Sequence, residues 1–273
     1  MRSTETLALR HAVALGLLQG PTELLPISSS GHTALLPWLA GWPYAELDGE
    51  LRKSFEVALH AGAGLALAID MRGQLLDELT GMDRQRAAVL ALSLGPPALA
   101  GFVLRARIER LLGGPRSIAM GLAAGGIAMA LADARAGGGG GRACADAQAA
   151  DGLVLGLAQA GALIPGVSRN GATLTAARAR GFDREASRAL SWSVALPVIL
   201  GASALKGTRM ARAGLPPRMH VAMAAGGLTA FLSTLVSARI LRRSGADERP
   251  LLPFALYRCL LGALVVRRLR RAQ

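Results

Sequence analysis

Polar chain broken by glycine and proline interrupts an otherwise apolar sequence at two places about 140 positions apart, and the two read almost as copies. The first is Gln19-Gly20-Pro21-Thr22-Glu23-Leu24-Leu25-Pro26-Ile27-Ser28-Ser29-Ser30-Gly31-His32-Thr33. The second is Gln159-Ala160-Gly161-Ala162-Leu163-Ile164-Pro165-Gly166-Val167-Ser168-Arg169-Asn170-Gly171-Ala172-Thr173. In a hydrocarbon setting, broken backbone is tolerated only where it is buried in protein or lines a cavity, and ionisable side chains there mark function. These two segments therefore restrict the fold and point to a site.

The surrounding chain sets that hydrocarbon context. Of its 273 residues 52% are hydrophobic but only 4% aromatic, so small and aliphatic side chains supply the apolar character, as in close-packed membrane helices. Apolar segments fall near 7–20, 33–43, 55–69, 87–104, 117–132, 152–164, 189–205, 219–241 and 251–266. A bilayer span needs about 20 residues. Segments 87–104, 189–205, 219–241 and 251–266 are the better candidates, and 117–132 is marginal. Segments 7–20 and 152–164 are too short, and each runs straight into one of the polar motifs. This pattern predicts an all-α, polytopic protein of the plasma membrane with two re-entrant helix hairpins.

The formal charge of +13 does not indicate a nucleic-acid partner. The arginines cluster at segment ends, as in Arg105, Arg107 and Arg110, or Arg267, Arg268, Arg270 and Arg271. There they mark cytoplasmic loops, snorkel or meet anionic headgroups. No nucleic-acid-binding motif accompanies them. Cys144 and Cys259 form no metal or redox motif, and a disulfide between them is left open. No cleavable signal peptide is expected, because Leu7–Leu18 is short and leads into the polar motif.

The duplication extends beyond the motifs. Phe55-Glu56-Val57-Ala58-Leu59-His60 matches Trp192-Ser193-Val194-Ala195-Leu196-Pro197 at nearly the same offset. The chain is therefore read as a first repeat over 1–136, a Gly-rich connector over 137–150 and a second repeat over 151–273, together one membrane domain. Inverted-topology repeats of this kind place their site at the repeat interface.

The motifs carry complementary chemistry. The first offers the Glu23 carboxylate, the hydroxyls of Ser28, Ser29 and Ser30, and the His32 imidazole. The second offers the Arg169 guanidinium, the Ser168 and Thr173 hydroxyls, the Asn170 amide, and Gly166 and Gly171. A helix is expected to start at Ala172–Ala179, and free amides at its N-terminus beside an arginine fork suit a phosphate. A carboxylate nearby can hold a divalent cation. Serine or histidine can act as nucleophile or acid/base. The parts assemble into a phosphoryl-transfer site. Each also has a plain structural use: a membrane serine bonds its own helix, His32 packs at an interface, and Glu23 pairs with Arg169. That reading leaves the hydroxyl clusters unexplained. No P-loop is present, and Gly166–Gly171 is one residue too long for a nucleophile elbow. The type 2 phosphatidic-acid phosphatases need a His six residues after their Arg, where this chain has Thr175.

Both motifs closely resemble those of the undecaprenyl-pyrophosphate phosphatases of the bacitracin-resistance type. The family's first signature runs Glu-Gly-x-Thr-Glu-x-x-Pro-(Ile/Val)-Ser-Ser-(Thr/Ser)-Gly-His, and its second Pro-Gly-x-Ser-Arg-Ser-Gly-(Ala/Ser)-Thr. The stretches Phe55–Leu67 and Gly181–Arg188 are also similar, so the resemblance covers almost the whole chain. It implies hydrolysis of undecaprenyl pyrophosphate to undecaprenyl phosphate and inorganic phosphate, which recycles the lipid carrier for peptidoglycan and gives bacitracin resistance. It implies dependence on Mg²⁺ or Ca²⁺ and functional roles for Glu23, Ser29, His32, Ser168, Arg169 and Thr173. The expected partners are the polyprenyl pyrophosphate and membrane lipids, with a homodimer left open.

On this reading Arg169, Ser168, Thr173, Asn170, Ser28 and the amides around Gly166 and Gly171 bind substrate. Glu23 and Gln19 hold the cation. Ser29 is the nucleophile with His32 as its acid/base partner; alternatively His32 activates water and Ser29 positions it. Two positions depart from the family: Gln19 replaces a Glu, and Asn170 replaces a Ser. Gln19 removes a negative charge from the cation site, although an amide oxygen still ligates. The rival class is an inverted-repeat transporter or polyprenyl-phosphate flippase.

Overall fold

A backbone surrounded by apolar side chains satisfies its own hydrogen bonds most simply as helix. The computed structural model describes residues 7–137, 140–213, 217–244 and 250–271, and twelve α-helices fill most of that chain. They are α1 (Leu9–Leu24), α2 (Ser29–Ala40), α3 (Gly49–Asp70), α4 (Arg72–Thr80), α5 (Arg84–Val103), α6 (Arg105–Leu112), α7 (Pro115–Ala136), α8 (Ala149–Gly161), α9 (Arg169–Ala179), α10 (Arg184–Ala213), α11 (Pro217–Arg243) and α12 (Leu252–Arg271). Strands are absent among the described residues; one isolated bridge joins Arg142 and Phe182. The sequence marks several starts. Asp48 accepts from the Glu50 and Leu51 amides ahead of α3, Asp83 accepts from the Arg86 amide ahead of α5, and Pro115 opens α7.

Among the described residues three helices, α5, α7 and α11, are long and apolar enough to cross a membrane, and α3 with α4, bent by 67° at the break between them, is apolar enough only as a pair, as a broken span or a re-entrant loop. The 117–132 segment thus gains a full span, because α7 extends beyond it at both ends to 22 residues. The 251–266 segment behaves differently: α12 carries Arg258 in its middle and closes on arginines. These helices turn large apolar side chains outward. Phe102 is 89% exposed, and Leu99, Ile240 and Leu260 are also open. Apolar surface on that scale suits lipid rather than water.

The chain divides into two compact units, each drawing helices from both sides of Gly137. The first contains 7–24, 32–75 and 196–243. Its α1 and α3 both pack on α11 through small residues. A Cβ on Gly16 would fall 1.9 Å from Thr229 Oγ1, one on Gly20 would fall 2.5 Å from Ser233 Oγ, and one on Gly62 would fall 2.1 Å from the Gly227 carbonyl. Ser233 donates to the Leu17 carbonyl at 2.6 Å across the same contact. Leu15, Phe55, Leu59 and Met219 fill the core beside it.

The second unit contains 25–31, 76–195 and 250–271. Here α8 packs on α5 by the same device. Cβ atoms on Gly152 and Gly156 would fall 2.4 Å and 2.6 Å from the Val89 and Leu92 carbonyls. Close backbone approach is what small residues permit in membrane helix pairs. Beside these, α12 lies on α7, with Gly126 and Gly262 at the contact. Buried Asp133 at the end of α7 receives Arg178 at 2.9 Å, Arg184 at 3.0 Å and the Leu251 amide at 3.0 Å.

Of the expected connector over 137–150, Gly138 and Gly139 lie outside the described residues. Its later part is fastened. Arg142 exchanges backbone bonds with Gly181 and Asp183, stacks 4.2 Å over the Phe182 ring, and pairs with Asp151 at 2.7 Å. Cys144 and Cys259 are both free thiols. Burial by itself would raise the Asp151 pKa, but hydrogen bonds from Arg142, the Gln148 amide and Arg180 outweigh it and hold the carboxyl at about 2.

Two outcomes follow from this packing. Gly156→Leu should overpack the α5 contact and cost about 1–3 kcal/mol, read as a lowered melting temperature in detergent. Gly101→Ala, where a Cβ meets open space, should leave it unchanged. A depressed carboxylate pKa stabilises the fold above the unfolded value of about 4 and loses that effect as pH falls through the folded value. The melting-temperature gap between wild type and Asp151→Asn should therefore hold constant down to about pH 4 and close towards pH 2.

Candidate active site

Both polar motifs fold as a short helix, a sharp turn and a new helix. In the first, α1 ends at Leu24, and Pro26 prevents it from continuing. Ser28 sits in the left-handed region with φ +78°, which costs energy for any residue but glycine. Its hydroxyl accepts the Gly31 amide at 3.3 Å and so caps α2. In the second motif α8 ends at Gly161, and Gly166 adopts φ +91°. Ser168 then accepts the Gly171 amide at 3.1 Å and caps α9. Because of this cap α9 starts at Arg169, three residues ahead of the Ala172 expected from sequence. Arg169, Asn170 and Gly171 thus form its first turn.

Within the second unit the two turns meet. A Cβ on Gly31 would lie 3.6 Å from Gly166 Cα, and one on Gly171 would lie 3.4 Å from the Pro26 carbonyl oxygen. Gly166 in turn lies so close to α7 that a Cβ would fall 2.2 Å from the Ile118 carbonyl. The glycines of the motifs are close-approach positions. One side chain ties the assembly together. Arg258 of α12 is fully buried and donates from Nη1 to the Pro26 carbonyl at 3.2 Å and from Nη2 to the Gly166 carbonyl at 3.3 Å. Its Nε reaches the Leu122 carbonyl at 3.2 Å, and Nη2 also reaches the Gly121 carbonyl at 3.4 Å. It therefore supplies donors to the freed carbonyls of both turns.

The predicted residues around these turns differ in access. Ser29, Arg169 and Asn170 are half-buried and Ser30 is exposed, whereas Ser28 and Ser168 are buried caps. Thr173 is fully buried, and its hydroxyl bonds the Arg169 carbonyl at 3.0 Å in its own helix. Ser191 of α10 donates to Asn170 Oδ1 at 3.0 Å and so orients that amide. Thr173 and Ser191 thus fasten the base of the α9 turn.

The remaining predicted groups belong to the first unit. Buried Gln19 and Glu23 stand one turn apart on α1, and Gln19 Nε2 donates to Glu23 Oε2 at 3.1 Å. The same Nε2 lies 3.0 Å from His60 Nδ1 of α3, which is itself 3.6 Å from Glu23 Oε2. His32 is buried one turn after Ser29 on α2. The family resemblance implies a divalent cation, and these residues offer oxygen donors for one. Gln19 Oε1 is a buried oxygen without a hydrogen-bond partner, next to a carboxylate. An orphaned hard oxygen beside a carboxylate fits such an ion. Among the described residues no three His, Cys, Asp or Glu side chains converge on a metal site.

Sequence reasoning missed Arg258, Ser191 and the contact of His60 with Gln19 and Glu23. Arg258 had a signal, as a lone arginine inside an apolar segment. His60 had one too, lying in a stretch that resembled the family. Ser191 had none.

The fold and these turns define a multi-pass, all-helical membrane protein with two hydroxyl- and amide-rich turns, one of them carrying the half-buried guanidinium of Arg169. Residues 12–264 match the family described as "Bacitracin resistance protein BacA". The chain is 38% identical to an undecaprenyl-diphosphatase of Geobacter sulfurreducens, over 94% of this chain and 96% of the relative. It is 34% identical to one of Chromohalobacter salexigens (94% and 97%) and 31% identical to one of Gluconacetobacter diazotrophicus (96% and 97%). The chain belongs to the BacA family of bacitracin resistance proteins.

The Arg258 clasp has a measurable consequence. Arg258→Met removes charge-assisted bonds worth about 1.5–3 kcal/mol each and leaves buried carbonyls unsatisfied. The variant should lose several degrees of melting temperature in detergent, and Arg258→Lys, without the planar fork, should recover only part of it.

Proposed function

We propose that this chain hydrolyses undecaprenyl pyrophosphate to undecaprenyl phosphate and inorganic phosphate, returning the lipid carrier to peptidoglycan synthesis and conferring bacitracin resistance. The observation that carries the reading is the meeting of two serine-capped helix N-terminal turns, one with Ser29 and one with Arg169, clasped by Arg258. Whole-length identity to relatives named undecaprenyl-diphosphatase supports the substrate.

Helix α1 has 16 residues and α8 has 13, roughly 24 and 20 Å at 1.5 Å per residue, against a hydrocarbon core of about 30 Å. Their length, the matching caps and the shared small-residue packing support re-entrant hairpins that belong to duplicated, inverted repeats.

In the proposed chemistry the Arg169 fork and the amides of the α9 first turn grip the terminal phosphate, where a helix N-terminus favours negative charge. Asn170, held by Ser191, orients a further donor towards it. Ser29 and His32 share a face of α2 at i, i+3 spacing. His32 takes the Ser29 proton as Ser29 Oγ bonds to phosphorus and the bridging P–O bond breaks, releasing undecaprenyl phosphate. Water then cleaves the phosphoserine and releases inorganic phosphate. A divalent cation, Mg²⁺ or Ca²⁺, held by Glu23 and Gln19 Oε1, would supply charge neutralisation to the pyrophosphate oxygens.

Phosphate release from a polyprenyl pyrophosphate, assayed in detergent, tests this directly. Arg169→Ala, Ser29→Ala and His32→Ala should each lose about a hundredfold or more in kcat. Near-normal turnover in Arg169→Ala would sink the phosphate clamp. Chelation should stop release, and Mg²⁺ or Ca²⁺ should restore it. Radiolabel retained on wild type but not on Ser29→Ala would support the covalent route, and its absence would leave His32 activating water. Turnover without a membrane gradient also separates a phosphatase from a transporter or flippase.

A further inference from the structure

Gln19 stands one turn before Glu23 on α1, and its surroundings are unusual. The Gln19 amide nitrogen sits between two acceptors, Glu23 Oε2 at 3.1 Å and His60 Nδ1 at 3.0 Å. Those two acceptors are 3.6 Å from each other. Two lone pairs thus converge on one electropositive NH₂ group, an arrangement that also suits a cation. The other atom of the amide, Oε1, is buried without a partner. Rotation of the amide by half a turn exchanges Oε1 for Nε2 and brings three acceptors, two oxygens and one imidazole nitrogen, to the same point. Gln19 is fully buried, while the His60 side chain is 32% exposed, which leaves the point reachable.

We propose that His60 is a third protein ligand of the cation site of Glu23 and Gln19, binding through Nδ1, and that this donor set shifts the site's preference from Mg²⁺ and Ca²⁺ towards Mn²⁺. The inference rests on the cation reading of Glu23 and Gln19 given above. Mg²⁺ and Ca²⁺ are hard ions that favour all-oxygen, carboxylate-rich coordination. Gln19 lowers the charge of the site, which weakens exactly those ions' main attraction, and an imidazole nitrogen favours first-row transition ions instead. His60 therefore adds a softer donor to a site that holds one carboxylate.

The test is Mn²⁺ binding to the purified full chain in detergent, without substrate, followed by electron paramagnetic resonance. Wild type should bind one Mn²⁺ that excess Mg²⁺ displaces poorly, and electron spin-echo modulation should show a directly coordinated imidazole nitrogen. His60→Gln should lose that nitrogen signal and about tenfold or more in Mn²⁺ affinity. Gln19→Glu should strengthen competition by Mg²⁺ and keep the nitrogen signal. Melting temperature and elution volume confirm that each variant is folded. Mn²⁺ that depends on Glu23, lost in Glu23→Gln, but shows no nitrogen coupling in wild type overturns the role of His60 alone. Absence of bound Mn²⁺, or binding indifferent to Glu23→Gln, overturns both this inference and the cation reading beneath it.

Discussion

A chain that breaks its helices inside an apolar setting must find partners for the backbone groups it frees, and here the guanidinium of Arg258 provides them. Arginine offers five donors in a rigid plane and no acceptor. A single buried side chain can therefore serve the carbonyls of Pro26, Gly166, Leu122 and Gly121 together. Two broken turns and one continuous helix are thereby joined through one side chain. Ser29 and Arg169 sit on the turns that this clasp joins. The same demand explains the glycines. Gly171 leaves room for the guanidinium, since a Cβ there would fall 2.6 Å from Arg258 Nη1, and Gly166 leaves room for α7.

The two motifs share one local plan. Each is a short helix with small residues on the packed face, a turn with one positive-φ residue, and a serine that caps the next helix on the amide three residues later. The matched glutamines show the divergence. Gln159 donates to the Ser93 carbonyl at 3.1 Å and braces α8 against α5. Gln19 instead joins Glu23 and His60. The matched glutamines thus meet different partners.

Much of this was legible in the sequence. Local rules suffice for the helical class, the interruptions at Pro26 and Pro165, and the polar clusters, because helix breaking and side-chain chemistry are properties of neighbours in the chain. The marginal 117–132 segment was underestimated because hydropathy alone does not see that Pro115 starts a helix and that Asp133 near its far end is neutralised by Arg178 and Arg184. The 251–266 segment was overestimated as a plain span, because a lone arginine among leucines says nothing of the carbonyls it serves.

The sequence by itself determined that the chain is a multi-pass helical membrane protein with two hydroxyl-rich motifs of similar sequence, since periodicity, composition and motif spacing are local and covalent. Only the tertiary structure decided which residues stand together: His60 beside Glu23, Ser191 beneath Asn170, and Arg258 between Pro26 and Gly166. Each of those pairs lies tens to hundreds of positions apart, and no local preference encodes them. They arise when helices pack and every buried polar group must meet a partner.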